Sequence, residues 1–558
     1  VTAVAPRPPR VRPAPPGRAS RAARRLVREP VTLAVTLFIA AVLIVFVLWP
    51  TVNVFLRPDA EHWSRFLGSA RMWDVARNTA VMTLLSTVSA TALGFLFAYA
   101  LSRPDIPGKP FFRIMSVLPL VSPPFVIGLS LILLFGRRGL VTYELLGLNL
   151  DVYGLPGLWA VQTMAYYPVA VLVLTGVLRR QSPALEWAGR DLGHGWWGIF
   201  RTVTLPLAVP GLASAGLLVG MYVLADFGNP LLVAGSYRVL AVEAYHQVVG
   251  TFDLGMAAVL CVALLVPTGL FFWLQRAWLE RRSYVTVTGK ESTLDPVPTP
   301  APVRGTLFGL LCVVSGFMLL TYASVFAGAL TKTWGVNWTL TLQHFEYTLL
   351  RAGDLTNSTL YAVVAGFACA VFAVLAAFFI QRRPLVGRGA MDMLAVLPGA
   401  LPGTMIGIAW LITFHTGPLA ITGTALIVVL MMTVRTLPVG YRSGVSALQQ
   451  IGPSLDESAQ DLGSGSLRTF RTVMLPLMRT AFTAAFIYAF VKSINTLSAV
   501  IFLVSPGSQL ASVSIMGLAE HGYWGEATAL AAGLMLVTFA ALALFRLLTG
   551  GRVKLFEL

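Results

Sequence analysis

Two ionisable side chains lie inside long apolar runs, Asp226 in VLADFGNPLLVAG and Lys492 in FVKSINTLSAVIFLVSPG. A charge within a membrane segment is costly, and it normally faces a bundle interior or a wet path. Asn229 and Asn495 add amides nearby, while Gly228 and Pro230 loosen the backbone. These groups suit the wall or gate of a translocation path. They would serve equally as a structural ion pair or as interhelical hydrogen bonds. Nothing is spaced for other chemistry. Cys261, Cys312 and Cys369 sit apart in apolar runs, implying neither a disulfide framework nor a thiolate metal site. The six histidines are scattered without metal-ligand spacing, so no metal site is expected. Spans without clustered His, Cys or paired acids also argue against a membrane-embedded enzyme.

Asp226 and Lys492 each lie on the run that follows a stretch occurring twice. The first copy is Trp187-Ala188-Gly189-Arg190-Asp191-Leu192-Gly193, then nine residues, then Val203-Thr204-Leu205-Pro206. The second is Glu457-Ser458-Ala459-Gln460-Asp461-Leu462-Gly463, then nine residues, then Val473-Met474-Leu475-Pro476. The offset is 270 throughout, and Gly195/Gly465, Phe200/Phe470, Arg201/Arg471, Thr202/Thr472 and Leu207/Leu477 coincide within the frame. Asn78, Pro119, Pro123, Gly128 and Phe135 match Asn357, Pro398, Pro402, Gly407 and Phe414 at an offset of 279, so the first half carries nine extra residues, which fit in Gly136–Gly157. The chain is an internal duplication. The 270 offset sets Lys492 opposite Tyr222 and Asp226 opposite Thr496, about one helical turn apart.

The elements that hold these residues are membrane helices. Of 558 residues, 56% are hydrophobic and only 12% charged, with mean hydropathy +0.75, the composition of an integral membrane protein. Val31–Trp49 is long enough to span and no small-residue cleavage site follows it, so it is expected to be a first span and not a signal peptide. Further runs fall near 75–101, 112–135, 156–178, 206–234 and 256–278, then 306–330, 357–380, 391–414, 419–438, 473–503 and 527–548. The expected fold is all-α, about twelve transmembrane helices in two tandem six-helix halves at 31–282 and 305–558. A disordered basic tail (1–30) precedes them, and a polar, proline-bearing linker (283–304) joins them. Pro119, Pro123, Pro124 and Pro398, Pro402 with Gly403 interrupt spans at matching places and are expected to be mostly kinks.

The net charge of +17 follows from topology and calls for no nucleic-acid partner. With the tail inside, cytoplasmic segments hold 31 Lys and Arg (435–479 among them), outer segments nine, and Lys492 lies within a span. That excess places the tail, the linker, both repeated loops and the C-terminus on the cytoplasmic side.

The repeated loops resemble the EAA loop of ABC-importer permeases, E-A-A-x3-G-x9-I-x-L-P. LADFGNPLLV (224–233) and TLSAVIFLVSPG (496–507) extend the resemblance to the fused, double-length permeases of the ferric-iron type, with a type I importer fold. Lys492 and Ser493 stand where those permeases more often have an arginine and a small residue. Glu457 and Ala459 keep the loop pattern; Trp187 stands at the Glu position, Gly189 at the second Ala, and Glu186 is displaced by one residue. The resemblance implies that Trp187, Ala188, Gly189, Gly193, Leu205, Pro206, Glu457, Ser458, Ala459, Gly463, Leu475 and Pro476 form cytoplasmic loops docking on an ATPase, with the second loop docking more strongly. Asp226, Asn229, Lys492 and Asn495 would line the path. It further implies a bacterial inner-membrane location in the lipid bilayer, two copies of a separate ATPase binding ATP and Mg, and an extracytoplasmic solute-binding protein. Iron(III) is the solute most strongly implied, with aminoethylphosphonate, thiamine or polyamine as alternatives. No G-x-x-x-x-G-K-[ST] motif occurs in the chain, so ATP hydrolysis falls to a partner. The reading from another class is an ion-coupled secondary transporter, which would need no repeated cytoplasmic loop.

Overall fold

The computed structural model describes residues 30–123, 125–279, 295–383 and 387–550. Residues 1–29 of the expected tail (1–30), linker residues 283–294 and Pro124 lie outside them. The described chain is mainly helical, with one antiparallel ribbon of Thr331–Thr333 and Asn337–Leu340. Among the described residues ten helices are long and apolar enough to cross a membrane, and twelve if each of two bent pairs is one span. They are spans 1 to 6 at Pro30–Leu56, Ala70–Ser102, Val126–Leu145, Leu155–Arg179, Trp196–Leu224 and Leu254–Gln275. Spans 7 to 12 are Ala301–Leu330, Ala352–Arg382, the bent pair Arg388–Gly399 with Gly403–Phe414, Ala425–Gln450, the bent pair Ser466–Leu477 with Arg479–Ile494, and Trp524–Leu548. Six fall in each half, as the sequence predicts.

The prolines of the third span in each half do more than kink it. A helix Lys109–Val121 ends before span 3, and Ser122 is extended with ψ 159° because Pro123 excludes the helical region for the residue before it. In span 9 the two arms meet at 112° around Pro402, whose ψ is 144°. Pro also lacks the N–H that the helical ladder needs. These are breaks. The runs 206–234 and 473–503 are likewise shorter as helices than predicted: spans 5 and 11 stop at Leu224 and Ile494. A short helix, Gly228–Val233, and a single 3-10 turn, Val500–Phe502, follow them. Span 10 is displaced from 419–438 to Ala425–Gln450. Gly417 and Gly423 hold φ +91° and +82°, so helix starts only after Thr424, whose side chain caps it at Ile427 N–H.

The halves exchange their first spans. Phe46 of span 1 stacks on Trp410 at 5.6 Å, Trp49 meets Phe414 edge-on at 5.8 Å, and Asn53 Nδ2 donates to Thr413 Oγ1 at 3.0 Å. Span 7 lies in the first half's core, where its buried Leu311, Val314, Met318 and Val325 join Phe125, Leu129 and Leu158. Ser130 Oγ donates to the Thr321 carbonyl at 2.8 Å, and Ser122 and Tyr322 share a hydrogen bond of 2.6 Å. Each core therefore draws on both halves of the sequence.

The duplication also gives two of the scattered histidines a pattern. On the side opposite the repeated loops, the short helices Ala60–Gly68 and Gln343–Leu350 carry His62 and His344. His62 lies over Gly255 and His344 over Gly525, at the starts of spans 6 and 12, where any Cβ would collide with the imidazole. His62 bridges Asp59 (2.5 Å) and Asp253 (3.2 Å); His344 lies 3.6 Å from Glu526.

Candidate functional site

Each repeated loop is a nine-residue helix, Pro183–Asp191 and Pro453–Asp461, closed by a left-handed glycine. Gly193 has φ +84° and Gly463 φ +77°, and a Cβ on either would meet nothing within 4 Å. Backbone conformation alone therefore asks for glycine there. His194 N–H returns to the Gly189 carbonyl and Ser464 N–H to the Ala459 carbonyl, both at 3.0 Å, closing the same C-terminal cap twice. Gly189 is buried, and a Cβ on it would meet Ile199 Cγ1 at 3.3 Å.

The buried carboxylate of each loop lies one residue before the position singled out by the motif. Glu186 pairs bidentately with Arg103, with Nη1 and Nη2 donating at 2.8 Å each. Asp456 takes Arg383 Nη2 at 2.9 Å. All four side chains are buried. Arg103 lies over the Tyr99 ring at 4.4 Å and Arg383 over Phe378 at 4.9 Å. Both loops are thus bolted to the ends of spans 2 and 8 by charge-assisted hydrogen bonds in a dry setting. Glu457, Ser458 and Ala188 face outward, with Trp187 and Ala459 half-buried.

The first loop is tied to the inter-half linker. Val297 N–H donates to Glu186 Oε2 at 3.1 Å, Trp187 Nε1 to the Asp295 carbonyl at 2.8 Å, and Thr299 N–H to Asp105 Oδ2 at 3.1 Å. Outward, the loops present matched leucines: Leu185 and Leu455 are 47% and 48% exposed, Leu192 and Leu462 79% and 88%.

Past each loop the chain enters span 5 or 11 through a π-turn, Phe200–Thr204 or Phe470–Met474. Leu205, Pro206, Leu475 and Pro476 follow directly, with both prolines exposed. A π-turn supplies the extra residue that lets the ladder pass a proline lacking its N–H. In the first half the helix then runs on to Leu224; in the second it bends by 77° after Leu477.

Spans 5 and 11 end at a cavity of about 300 Å³ between the halves. Both proline breaks line it, and so do Tyr166, Tyr222, Asp226, Arg435, Tyr488, Lys492, Asn495 and Thr496. Asp226, only 5% exposed, accepts from Gln162 Nε2 at 3.0 Å, Asn229 Nδ2 at 3.1 Å and Asn229 N–H at 3.4 Å. Gln162 in turn accepts from Ser86 Oγ at 2.9 Å. Asn495 Nδ2 donates to the Val121 carbonyl at 2.7 Å, covering from the other half an acceptor left open where helix 109–121 stops. Gly228 lies against Leu497 across the same interface and against Phe125 of its own half.

The structure thus brings Asp226, Lys492 and Asn495 to one cavity. Asn229 stands behind it, fully buried, holding Asp226. Among the described residues Asp226 and Lys492 form no ion pair with each other, and Lys492 has neither an acceptor nor a carboxylate partner.

Arg435 is the residue the sequence reading misplaced. The apolar run 419–438 ends three residues beyond it, so the sequence assigns Arg435 to the cytoplasmic segment 435–479. Span 10 continues to Gln450, which leaves Arg435 mid-helix and facing the cavity. Its Nη1 donates to Thr496 Oγ1 and Ser498 Oγ, both at 3.1 Å. Gly403 makes room for it: a Cβ there would meet Ser498 Oγ and both Arg435 Nη atoms. Thr496 is the repeat partner of Asp226, so the same site holds an acid bound to Gln162 in one half and a hydroxyl bound to Arg435 in the other. Gln162, Tyr166 and Tyr488 give no signal in the sequence, because an amide or phenol inside an apolar run does not interrupt it.

The chain contains two matches, at residues 90–283 and 370–557, to the model of the binding-protein-dependent transport system inner membrane component. Each copy takes in a loop, its following span and its share of the cavity wall. The chain belongs to this family. It is a multi-pass inner-membrane protein of the fused, double-length kind and an ABC permease. It is 33% identical over 527 residues to the ferric transport system permease protein FbpB of Actinobacillus pleuropneumoniae, across 90% of this chain and 76% of that one. It is 24% identical over 487 residues to the Fe(3+)-transport system permease protein FbpB 2 of Haemophilus influenzae, covering 86% and 90%. The molybdenum transport system permease protein ModB of Escherichia coli K12 matches at 28% over 218 residues, 94% of its own length but 38% of this chain.

Proposed function

We propose that this permease is the membrane subunit of an ATP-driven importer, with the cavity between its halves as the path and iron(III) as the solute. A separate ATPase, in two copies, engages the two loops; a solute-binding protein delivers cargo at the opposite face. ATP and Mg belong to the ATPase. Both termini and both loops face the cytoplasm, in keeping with the Lys and Arg excess. The single observation that carries this reading is the pair of capped helices bolted by Arg103–Glu186 and Arg383–Asp456, each presenting exposed leucines at the same positions. Iron rests on the names of the FbpB relatives.

In this reading each loop is a lever. ATP closes the ATPase pair and draws the loop helices together. Trp187, Ala188, Gly189, Gly193, Glu457, Ser458, Ala459 and Gly463 take the load. The π-turns at Leu205-Pro206 and Leu475-Pro476 pass it to spans 5 and 11, whose far ends hold the Asp226 and Thr496 sides of the cavity. The cavity then opens outward to receive solute, and hydrolysis returns it inward. The first lever is one continuous helix and the second is bent, so the two strokes differ. Proteoliposomes carrying this chain, its ATPase and its binding protein should take up iron(III) only with ATP. Uptake without the ATPase, driven by an ion gradient, would overturn the reading.

A further inference from the structure

The form in which cargo meets the cavity follows from the charges in its wall, and this inference rests on the function proposed above. The lining carries two cations, Arg435 and Lys492, and one carboxylate, Asp226. The carboxylate is already engaged, since Oδ2 takes amide donors from Gln162 and Asn229 and Oδ1 takes the Asn229 N–H. Neither cation has a carboxylate partner among the described residues. Arg435 is steadied by two hydroxyls, which supply no charge, and the charge acting on Lys492 is the like charge of Arg435. Two cations against one carboxylate leave an excess positive charge within a membrane domain, which is costly unless an anion joins them. Around them stand further oxygen donors in the phenols of Tyr166, Tyr222 and Tyr488 and the hydroxyls of Thr496 and Ser498. A bare ferric ion would bring three positive charges to a wall whose two cations already outnumber its one carboxylate.

We propose that the cavity holds its cargo as an anion presenting several oxygens, and that Arg435 and Lys492 are the groups that bind it. The guanidinium supplies directional N–H donors suited to an oxyanion face, and the ammonium supplies an unpaired point charge. Gly403 and the break at Pro402 let the guanidinium lie against the cavity wall. Two sources share this chemistry. One is a free oxyanion or organic phosphate; the other is a ferric ion already enclosed in an anionic chelate.

Equilibrium binding to the full chain in nanodiscs, without ATPase or ATP, tests this with three probes at constant ionic strength in chloride: inorganic phosphate, molybdate and ferric citrate. The wild-type chain should bind at least one. Arg435→Met and Lys492→Met should each weaken that binding about tenfold or more, as expected when a charge-assisted contact is removed. Lys492→Arg should retain it. Phosphate or molybdate binding identifies a free oxyanion as the class; binding of ferric citrate alone identifies the chelate. The proposal is overturned if no probe binds. It is equally overturned if binding survives both Met variants, or if Asp226→Asn abolishes binding that Lys492→Met leaves intact, the signature of a cationic cargo held on the carboxylate and phenols. Because no ATPase is present, these failures are separate from failure of the importer reading, which is seen only as uptake.

Discussion

Replacing Glu186 by Gln should loosen the first loop and leave the membrane core folded. The Arg103–Glu186 pair is bidentate at 2.8 Å and nearly dry, with the two residues 4% and 8% exposed. Removing one partner of a buried pair costs about 3–5 kcal/mol, because the remaining charge is left uncompensated. Glutamine keeps the volume and one acceptor, so the lower end of that range, about 3 kcal/mol, applies. The lost contacts to Thr204 Oγ1 (3.2 Å) and Val297 N–H (3.1 Å) fall on the same carboxylate and are included in it. Most of the loop helix faces outward, so it opens locally and not with the whole fold. About 3 kcal/mol is roughly two decades in the open population. Hydrogen exchange read on peptides covering 183–199 should therefore accelerate about a hundredfold, or to the loop's own opening limit if that is reached first. The second loop, 453–469, serves as an internal control. Exchange in 183–199 within about threefold of wild type would refute the argument, and so would equal loosening of both loops. Asp456→Asn should give the mirror result.

A β-branched residue at Gly463 must adopt φ +77°, which costs about 1–2 kcal/mol; Gly463→Val should lower solute uptake per ATP hydrolysed while Gly463→Asn stays near wild type, as measured in proteoliposomes. Gly403→Ala should displace Arg435 and Ser498, cutting uptake strongly with normal membrane insertion; wild-type uptake would show that the close approach is unimportant. Because spans 1 and 7 are exchanged, neither half expressed alone should resist trypsin, whereas the two halves co-expressed as separate chains should recover resistance. Trp187→Phe removes the hydrogen bond to the Asp295 carbonyl and should speed exchange in 295–300 by roughly three- to tenfold, the effect of about 1 kcal/mol.

The spans and the two loops could be seen in the sequence because hydropathy and a fixed repeat spacing are local signals. The span exchange could not, since Phe46 and Trp410 are paired by tertiary packing, which leaves no mark on either apolar run. The breaks at Pro123 and Pro402 were visible as prolines but not as breaks, because a membrane helix passes a proline when neighbours re-satisfy its backbone. Here Asn495 satisfies the Val121 carbonyl from the other half instead. Arg435 was mislaid for a related reason: Pro438 and the polar residues after it looked like the end of the span, yet the helix runs three turns further. The buried loop acids lie one residue before the motif position, which the sequence alone does not distinguish. Motif position favoured Glu457, whereas burial beside a partner arginine picks Asp456 and, in the first half, Glu186. Gly193 and Gly463 were legible because the left-handed turn leaves little choice of residue.

In the proposed importer, force enters through the two loops from a separate ATPase. With Cys312 changed to Ala, single cysteines at Leu192 or at Leu462 should each cross-link to an ATPase subunit in the assembled importer. One chain carrying both should capture two copies, and neither should react with a membrane-impermeant thiol reagent added from outside intact cells. Labelling of either cysteine from outside, or ATP-driven uptake undiminished when both loops are cross-linked to a bulky inert protein, would contradict it.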